Sequence, residues 1–314
     1  MDHITASKTQ LNNQLIFKFS AIGFALRSEL CYTNRIDIGI HDHVDYVAQL
    51  KHGDKIFISL GESNVPIHMI VSILKARDIK VNFYILYEPI ASFYIINAIH
   101  SVAINVFVQN NIYDLPNVHI MPIGIRDCGS VVNMHRGGYY QNSLLEEGAQ
   151  CIVDEDPAKS REHTCVLCFS IWTHPTRQIC YDLLNDKPFV VNLNVENQYP
   201  RNIVMGFHVP PEIVYSMMHK SKYTLAPRGC GEDTHRFYES VYLKSIPIVL
   251  RTNSVFDRLY TAFPCLVVNE WSDVTEELLE RSYPECWQRM CEFHAKYPRF
   301  LTDLDSIEGL LLEL

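Results

Sequence analysis

Arg228 and Arg236 stand on either side of a glycine-containing turn, Gly229-Cys-Gly231, and Glu239 follows on the segment that the pattern predicts as a helix over 233–244. A helix N-terminus presents unpaired N–H groups and the positive end of the helix dipole, which together favour phosphate. Two guanidiniums beside it would add bidentate phosphate contacts. Glu239 falls one turn below Arg236 on roughly the same face, about 4.5 Å further along the axis. A carboxylate there could accept both hydroxyls of a ribose whose diphosphate rests at the helix tip. Gly229, Gly231, Asp233, Thr234 and His235 complete the turn, and His235 is placed either to meet a phosphate or donor sugar or to be satisfied internally. The chemistry these residue types point to is the holding of a nucleoside diphosphate.

Two other readings use the same residues. Arg236 and Glu239 are spaced i,i+3, and such pairs often form no more than a surface ion pair of about 0.2–0.5 kcal/mol. Gly229-x-Gly231-x-x-Thr234 also resembles a dinucleotide fingerprint that has lost its third glycine. The acidic residue expected after the next strand is absent, and Arg251-Thr252 stands there instead. That arginine would suit only a cofactor with a 2′-phosphate, which would make the chain an NADP-linked oxidoreductase.

Pro227-Arg-Gly229, Asp233-Thr-His-Arg236, Glu239 and Ile246-Pro-Ile-Val249 resemble the donor-site signature of exostosin-like glycosyltransferases. Weaker matches follow in the same order along the chain. Thr173-His-Pro-Thr-Arg177 looks like that family's threonine, proline and arginine turn, and Val214–Ser221 like the helix before its donor strand. Val108-Gln-Asn110 with Ile120-Met-Pro-Ile-Gly124 looks like the close of the first domain. The similarity spans roughly residues 105–280 and is strongest over 210–250. It implies an α/β chain of the GT-B fold, with two Rossmann-like domains whose parallel sheets face a central cleft. It also implies transfer of a sugar from a nucleoside diphosphate sugar, UDP-linked, to a hydroxyl of a glycan or glycoprotein, inverting and without metal. Among xylose, glucuronate, galactose and N-acetylglucosamine, xylose is the first expectation for the donor sugar. The nucleotide sugar is then a co-substrate, and no further cofactor is expected.

Composition narrows the partners. With 314 residues, 47% hydrophobic and 20% charged, the chain can bury a full core in one large domain or two ordinary ones. A formal charge of −9 argues against nucleic acid or an anionic membrane as the main partner. A local cluster of Lys220, Lys222, Arg228 and Arg236 suits a small anion instead. The start, Met1-Asp-His-Ile-Thr-Ala-Ser-Lys8, shows no signal-peptide pattern, and no apolar run reaches the roughly 20 residues of a membrane span. Since many exostosin-like enzymes carry an anchor, a soluble cytoplasmic enzyme or a trimmed catalytic domain is expected. The ten cysteines are scattered and read as reduced core residues.

The elements that must position the chemistry alternate. Strands are predicted at 56–60, 81–87, 106–109 and 118–123, with helices at 67–77 and 91–103. Residues 125–163 lose that rhythm. It resumes with strands at 165–171, 188–193, 222–226, 246–250 and 265–268, and helices at 175–185, 211–220, 233–244 and 254–262. Strand–helix alternation predicts parallel sheets covered on both faces. The expected domains are 1–150 on the acceptor side and 151–314 on the nucleotide side, with the last helix packing back on the first. Ligands of open parallel sheets bind beyond the carboxyl ends of the strands. That edge receives the Arg228 turn and also Thr173 and Arg177; the latter is either a third diphosphate ligand or a first-turn residue capping its neighbours.

An inverting transfer needs a base on the acceptor side. Glu62 and Glu88, each just after a first-domain strand, and Asp42 in the loop His41-Asp-His-Val-Asp45 are the candidates. No metal site is expected, although His41 with His43 and Asp154-Glu-Asp156 are the places a cation would test. A chain that kept the donor turn but lacked the base would be a non-catalytic nucleotide-sugar-binding module.

Overall fold

The structure, a computed structural model, describes residues 28–32, 44–59, 65–86, 93–124, 161–194, 209, 211–300 and 308–314. The chain divides into two compact units, Met1–Arg136 with Arg299–Leu314, and Gly137–Pro298. Each is built on a five-stranded, wholly parallel sheet, so the protein is of the α/β class.

In the first unit β1 (Leu30–Tyr32), β2 (Lys55–Ser59), β3 (Val81–Leu86), β4 (Ala103–Val108) and β5 (Val118–Ile120) lie side by side in chain order. The crossovers run through α1 (Val44–Val47), α2 (Ile67–Ala76) and α3 (Phe93–His100). Ile56, Phe57 and Ile58 are all buried, because a central parallel strand is covered on both faces and needs a continuous apolar run. Ile67, Ile70, Val71 and Leu74 give α2 one apolar stripe that packs into the same core. The last helix, α9 (Glu308–Glu313), belongs to this unit and lies beside β5, where Ile120 N donates to Leu314 O at 3.3 Å.

The second unit holds β6 (His163–Leu167), α4 (Pro175–Leu184), β7 (Val190–Asn192), α5 (Pro211–His219), β8 (Ser221–Leu225), α6 (His235–Tyr242), β9 (Ile246–Leu250), α7 (Ser254–Ala262), β10 (Leu266–Val268) and α8 (Glu276–Lys296). Its strand order is β7-β6-β8-β9-β10, so the chain builds outward from β6 in one direction and then returns to build in the other. Pro247 sits inside β9, where a missing N–H would ordinarily break a ladder. It is tolerated because Ile248 O faces β8, accepting from Ala226 N at 3.0 Å, so position 247 faces β10, whose ladder begins one residue later at Ile248.

α8 and the short β1 are elements that the periodicity does not announce. α8 runs through Pro284, a residue that removes one backbone donor and normally marks a helix boundary. Its buried residues Leu279, Cys286, Met290 and Phe293 nevertheless keep helical spacing. Tyr223 Oη donates to Leu279 O at 2.9 Å and His294 Nε2 meets Val241 O at 2.8 Å, tying α8 to β8 and α6. Cys165, Cys168, Cys180, Cys230, Cys265, Cys286 and Cys291 are free thiols. No helix among the described residues is long and apolar enough to cross a membrane.

Candidate functional site

The second sheet changes direction between β6 and β8, and in open parallel sheets the crevice at such a reversal, outside the carboxyl ends, is where ligands bind. The chain leaves β6 through Cys168–His174 toward α4, and leaves β8 through Ala226–Thr234 toward α6. These two loops therefore bring Thr173 and Arg177 up to the Arg228–Gly231 turn, as their places after the two strands predict.

The first turn of α6 is packed into an aromatic cluster. Phe237 and Tyr238 pack edge-on against Phe263, with centroids 5.8 and 5.5 Å away, and Phe263 meets Phe293 at 5.0 Å. Its far end closes with Ser245 N to Ser240 O at 2.9 Å and Lys244 N to Val241 O at 3.1 Å, a Schellman arrangement with Lys244 at φ 56°. Arg161 reaches the same end and donates to the carbonyls of Met218, His219, Ser221, Leu243 and Lys244. At the tip the arrangement differs. Thr234 is the N-cap residue in extended backbone, and its hydroxyl makes no capping bond, whereas α4, α7 and α8 are capped by His174, Asn253 and Thr275.

Arg236 and Glu239 form the i,i+3 ion pair at 3.0 Å, but it is buried rather than on the surface, with side chains 17% and 6% exposed. Tyr215 Oη donates to the other carboxylate oxygen at 3.3 Å, and Arg236 Nη1 also approaches Met218 Sδ at 3.0 Å. Burial works against the Arg236 charge. Glu239, with Cys168 and Tyr215, outweighs it, so the guanidinium is held above its ordinary value. Asp233 is buried and accepts from Tyr238 Oη at 2.8 Å, which anchors the turn to the aromatic cluster. His235 is the first residue of α6 and is half-buried.

Arg177 crosses the reversal point. Its Nε donates to Arg228 O at 2.8 Å, Nη2 to Pro227 O at 3.3 Å and Nη1 to Ser170 O at 3.0 Å, so it laces the two loops together. Burial, then the Arg236 charge, pulls it down to about 10. His174 is lowered too, first by burial and then by Arg228 and Arg177. The cations of this edge thus repel one another, a field that an anion would relieve. Gly229 lies against them: a Cβ there would stand 3.0 Å from Arg177 Nη2 and 3.8 Å from Thr173 Oγ1. Thr173 Oγ1 itself donates to Ser170 O at 3.3 Å.

Arg228 is paired with Glu232. Glu232, Tyr215 and Ser170 are the residues that sequence reasoning misses. The Arg228–Glu232 spacing is visible, but i,i+4 predicts a contact only on a helix, and this contact forms in a loop. Glu62, Glu88 and Asp42, with His41, His43, Asp154 and Asp156, lie outside the described residues. Among the described residues no three His, Cys, Asp or Glu side chains gather as a cation site.

No protein-family model matches the chain, and no curated protein matches it. Solved structures that resemble it include a UDP-forming α,α-trehalose-phosphate synthase from Burkholderia xenovorans in complex with glucose-6-phosphate, at 10% identity and TM-score 0.42, covering 88% of this chain and 80% of that one. The α,α-trehalose 6-phosphate synthase of Burkholderia multivorans gives 11%, 0.41, 88% and 78%. The E. coli trehalose-6-phosphate structure bound with UDP-2-fluoro glucose gives 13%, 0.42, 86% and 75%.

Proposed function

We propose that the protein is a glycosyltransferase of the GT-B class that takes its sugar from a nucleoside diphosphate sugar. The diphosphate is seated at the β6–β8 reversal, against Gly229 and the tip of α6. One observation carries this reading: the Arg177 guanidinium, from the first turn of α4, packs against Gly229 in the turn that carries Arg228, an approach that a Cβ at 229 would obstruct, at the sheet edge where phosphate ligands bind.

In this reading Arg236 and Arg228 meet the charge that develops on the diphosphate as the glycosidic bond breaks, together with the α6 N–H groups. Arg177 acts as a positioning residue, fixing the carbonyls of Pro227 and Arg228 and so the shape of the turn. Glu239, already oriented by Arg236 and Tyr215, is the acceptor for ribose hydroxyls. The finer assignments are a UDP-linked donor, xylose first, a glycan hydroxyl as acceptor, inversion and metal-independent chemistry. The base belongs to Glu62, Glu88 or Asp42.

The test is release of UDP from a panel of UDP-sugars, first alone and then with glycan acceptors. Release from one donor that rises with an acceptor is the expected result. A nucleotide-induced thermal shift with no release from any donor would reduce the chain to a binding module. Binding of NADPH in place of UDP would replace the reading with an oxidoreductase.

A further inference from the structure

The guanidinium of Arg228 is occupied by the loop that carries it. Its Nη1 meets Glu232 Oε1, and the two side chains are 25% and 11% exposed. The contact is made at one point only. Arg228 Nε and Glu232 Oε2 are both buried and both without a partner. A guanidinium and a carboxylate can satisfy each other at two points, and a buried pair that does not leaves a donor and an acceptor stranded. Burial raises the Glu232 carboxyl, with Arg228 opposing, so the carboxylate is in a place that does not favour its charge. Arg177 takes the backbone carbonyl of Arg228 and leaves its side chain alone.

We propose that Glu232 is an internal stand-in for phosphate: it holds the Arg228 guanidinium and is displaced when a phosphoryl group arrives. The inference rests on the diphosphate reading of this same edge and adds to it a residue that sets the threshold for binding. A phosphoryl group offers several acceptor oxygens, so it can take the Nε–Nη2 edge side-on and give Nε the partner that a carboxylate held at Nη1 leaves it without. Glu232, freed at the rim, regains water on both oxygens. Two anions cannot share Arg228 at contact distance without repelling, so every phosphate ligand is discriminated by its ability to outcompete the carboxylate.

The test titrates the full chain and Glu232→Gln with UDP, inorganic pyrophosphate and uridine by calorimetry. The substitution keeps shape and removes the competing charge. UDP and pyrophosphate should bind about 5- to 20-fold more tightly to the variant, and uridine equally to both. Unchanged or weaker pyrophosphate binding by the variant, or no pyrophosphate binding by either protein, would overturn the stand-in. Pyrophosphate that gains affinity in the variant while UDP binds neither protein would keep the stand-in and remove the nucleotide. Should Glu232→Gln not fold, Glu232→Asp, whose shorter reach loosens the pair, is expected to gain about 2- to 5-fold, and a loss there would overturn it equally.

Discussion

The two sheets contain the same number of parallel strands and differ in one topological respect. The first runs β1 to β5 in chain order, so among its described strands no two successive loops diverge. The second turns back on itself between β6 and β8, the kind of reversal beside which ligands of open parallel sheets bind. Everything in the sequence that reads as anion chemistry lies on that second sheet. The lesson is that strand order, which no single motif encodes, separates two otherwise similar sheets and marks the second as the one whose edge the proposed nucleotide would use.

The largest expected effect would break this comparison outright. Arg236→Ala should weaken UDP binding by at least about 30-fold, since removing one partner of a buried charged contact costs about 2–5 kcal/mol. It also leaves Glu239 buried without its cation, so melting temperature should fall. Adding Glu239→Gln should restore part of the stability and none of the affinity. Wild-type affinity in the folded variant would remove the ligand from this edge.

Glycines sharpen the contrast between units. Gly229→Ala should weaken UDP by about 10-fold, because its Cβ would press on Arg177 at 3.0 Å and shift the turn. Gly53, in the first unit, has φ +89° and nothing within 4 Å of a built Cβ. Gly53→Ala should cost about 1–2 kcal/mol of stability through backbone strain and leave UDP affinity unaltered. Equal effects on binding would show that the first unit shares in holding the nucleotide.

Acid should act on the second unit. Burial pulls His294 down to about 4, below the roughly 6.5 of an unfolded histidine. The unfolded chain therefore takes up the proton first. Stability from this group is complete above about pH 6.5 and is lost progressively between there and about pH 4. His294→Gln should flatten that loss, by on the order of 1–2 kcal/mol between pH 7 and 5, in denaturant titrations. An unchanged pH slope would reassign the histidine. The smallest effect is Lys244→Gly, which relieves φ 56° at the end of α6 and should add about 0.5–1 kcal/mol without touching UDP affinity.

Much of the fold is legible in the chain because buried parallel strands and amphipathic helices write their periods plainly; Ile56-Phe-Ile58 and the α2 stripe are examples. β1 has three residues, too few for a period, and Pro284 disguises α8. At the site, residue types near Gly229 point to an anion, and the Arg236–Glu239 spacing foretells their pairing. Neither foretells its burial. Arg177 is the instructive case: from sequence it is a third phosphate ligand or a local cap, and the structure spends its donors on carbonyls of another loop. Such a lacing depends on two loops meeting across a reversal, and spacing along one segment carries no information about it. The pairing of Arg228 with Glu232 is hidden for the same reason.

Arg161 stands ahead of β6 in the chain yet fastens the tails of α5 and α6 and the start of β8 through its guanidinium. Where the second unit is cut free of the first therefore matters more than its strand count suggests. A fragment opening at His163 would carry all five strands and lack the one side chain that gathers those carbonyls, and it should melt well below a fragment that opens a few residues earlier. The natural seam of this half lies upstream of its first strand.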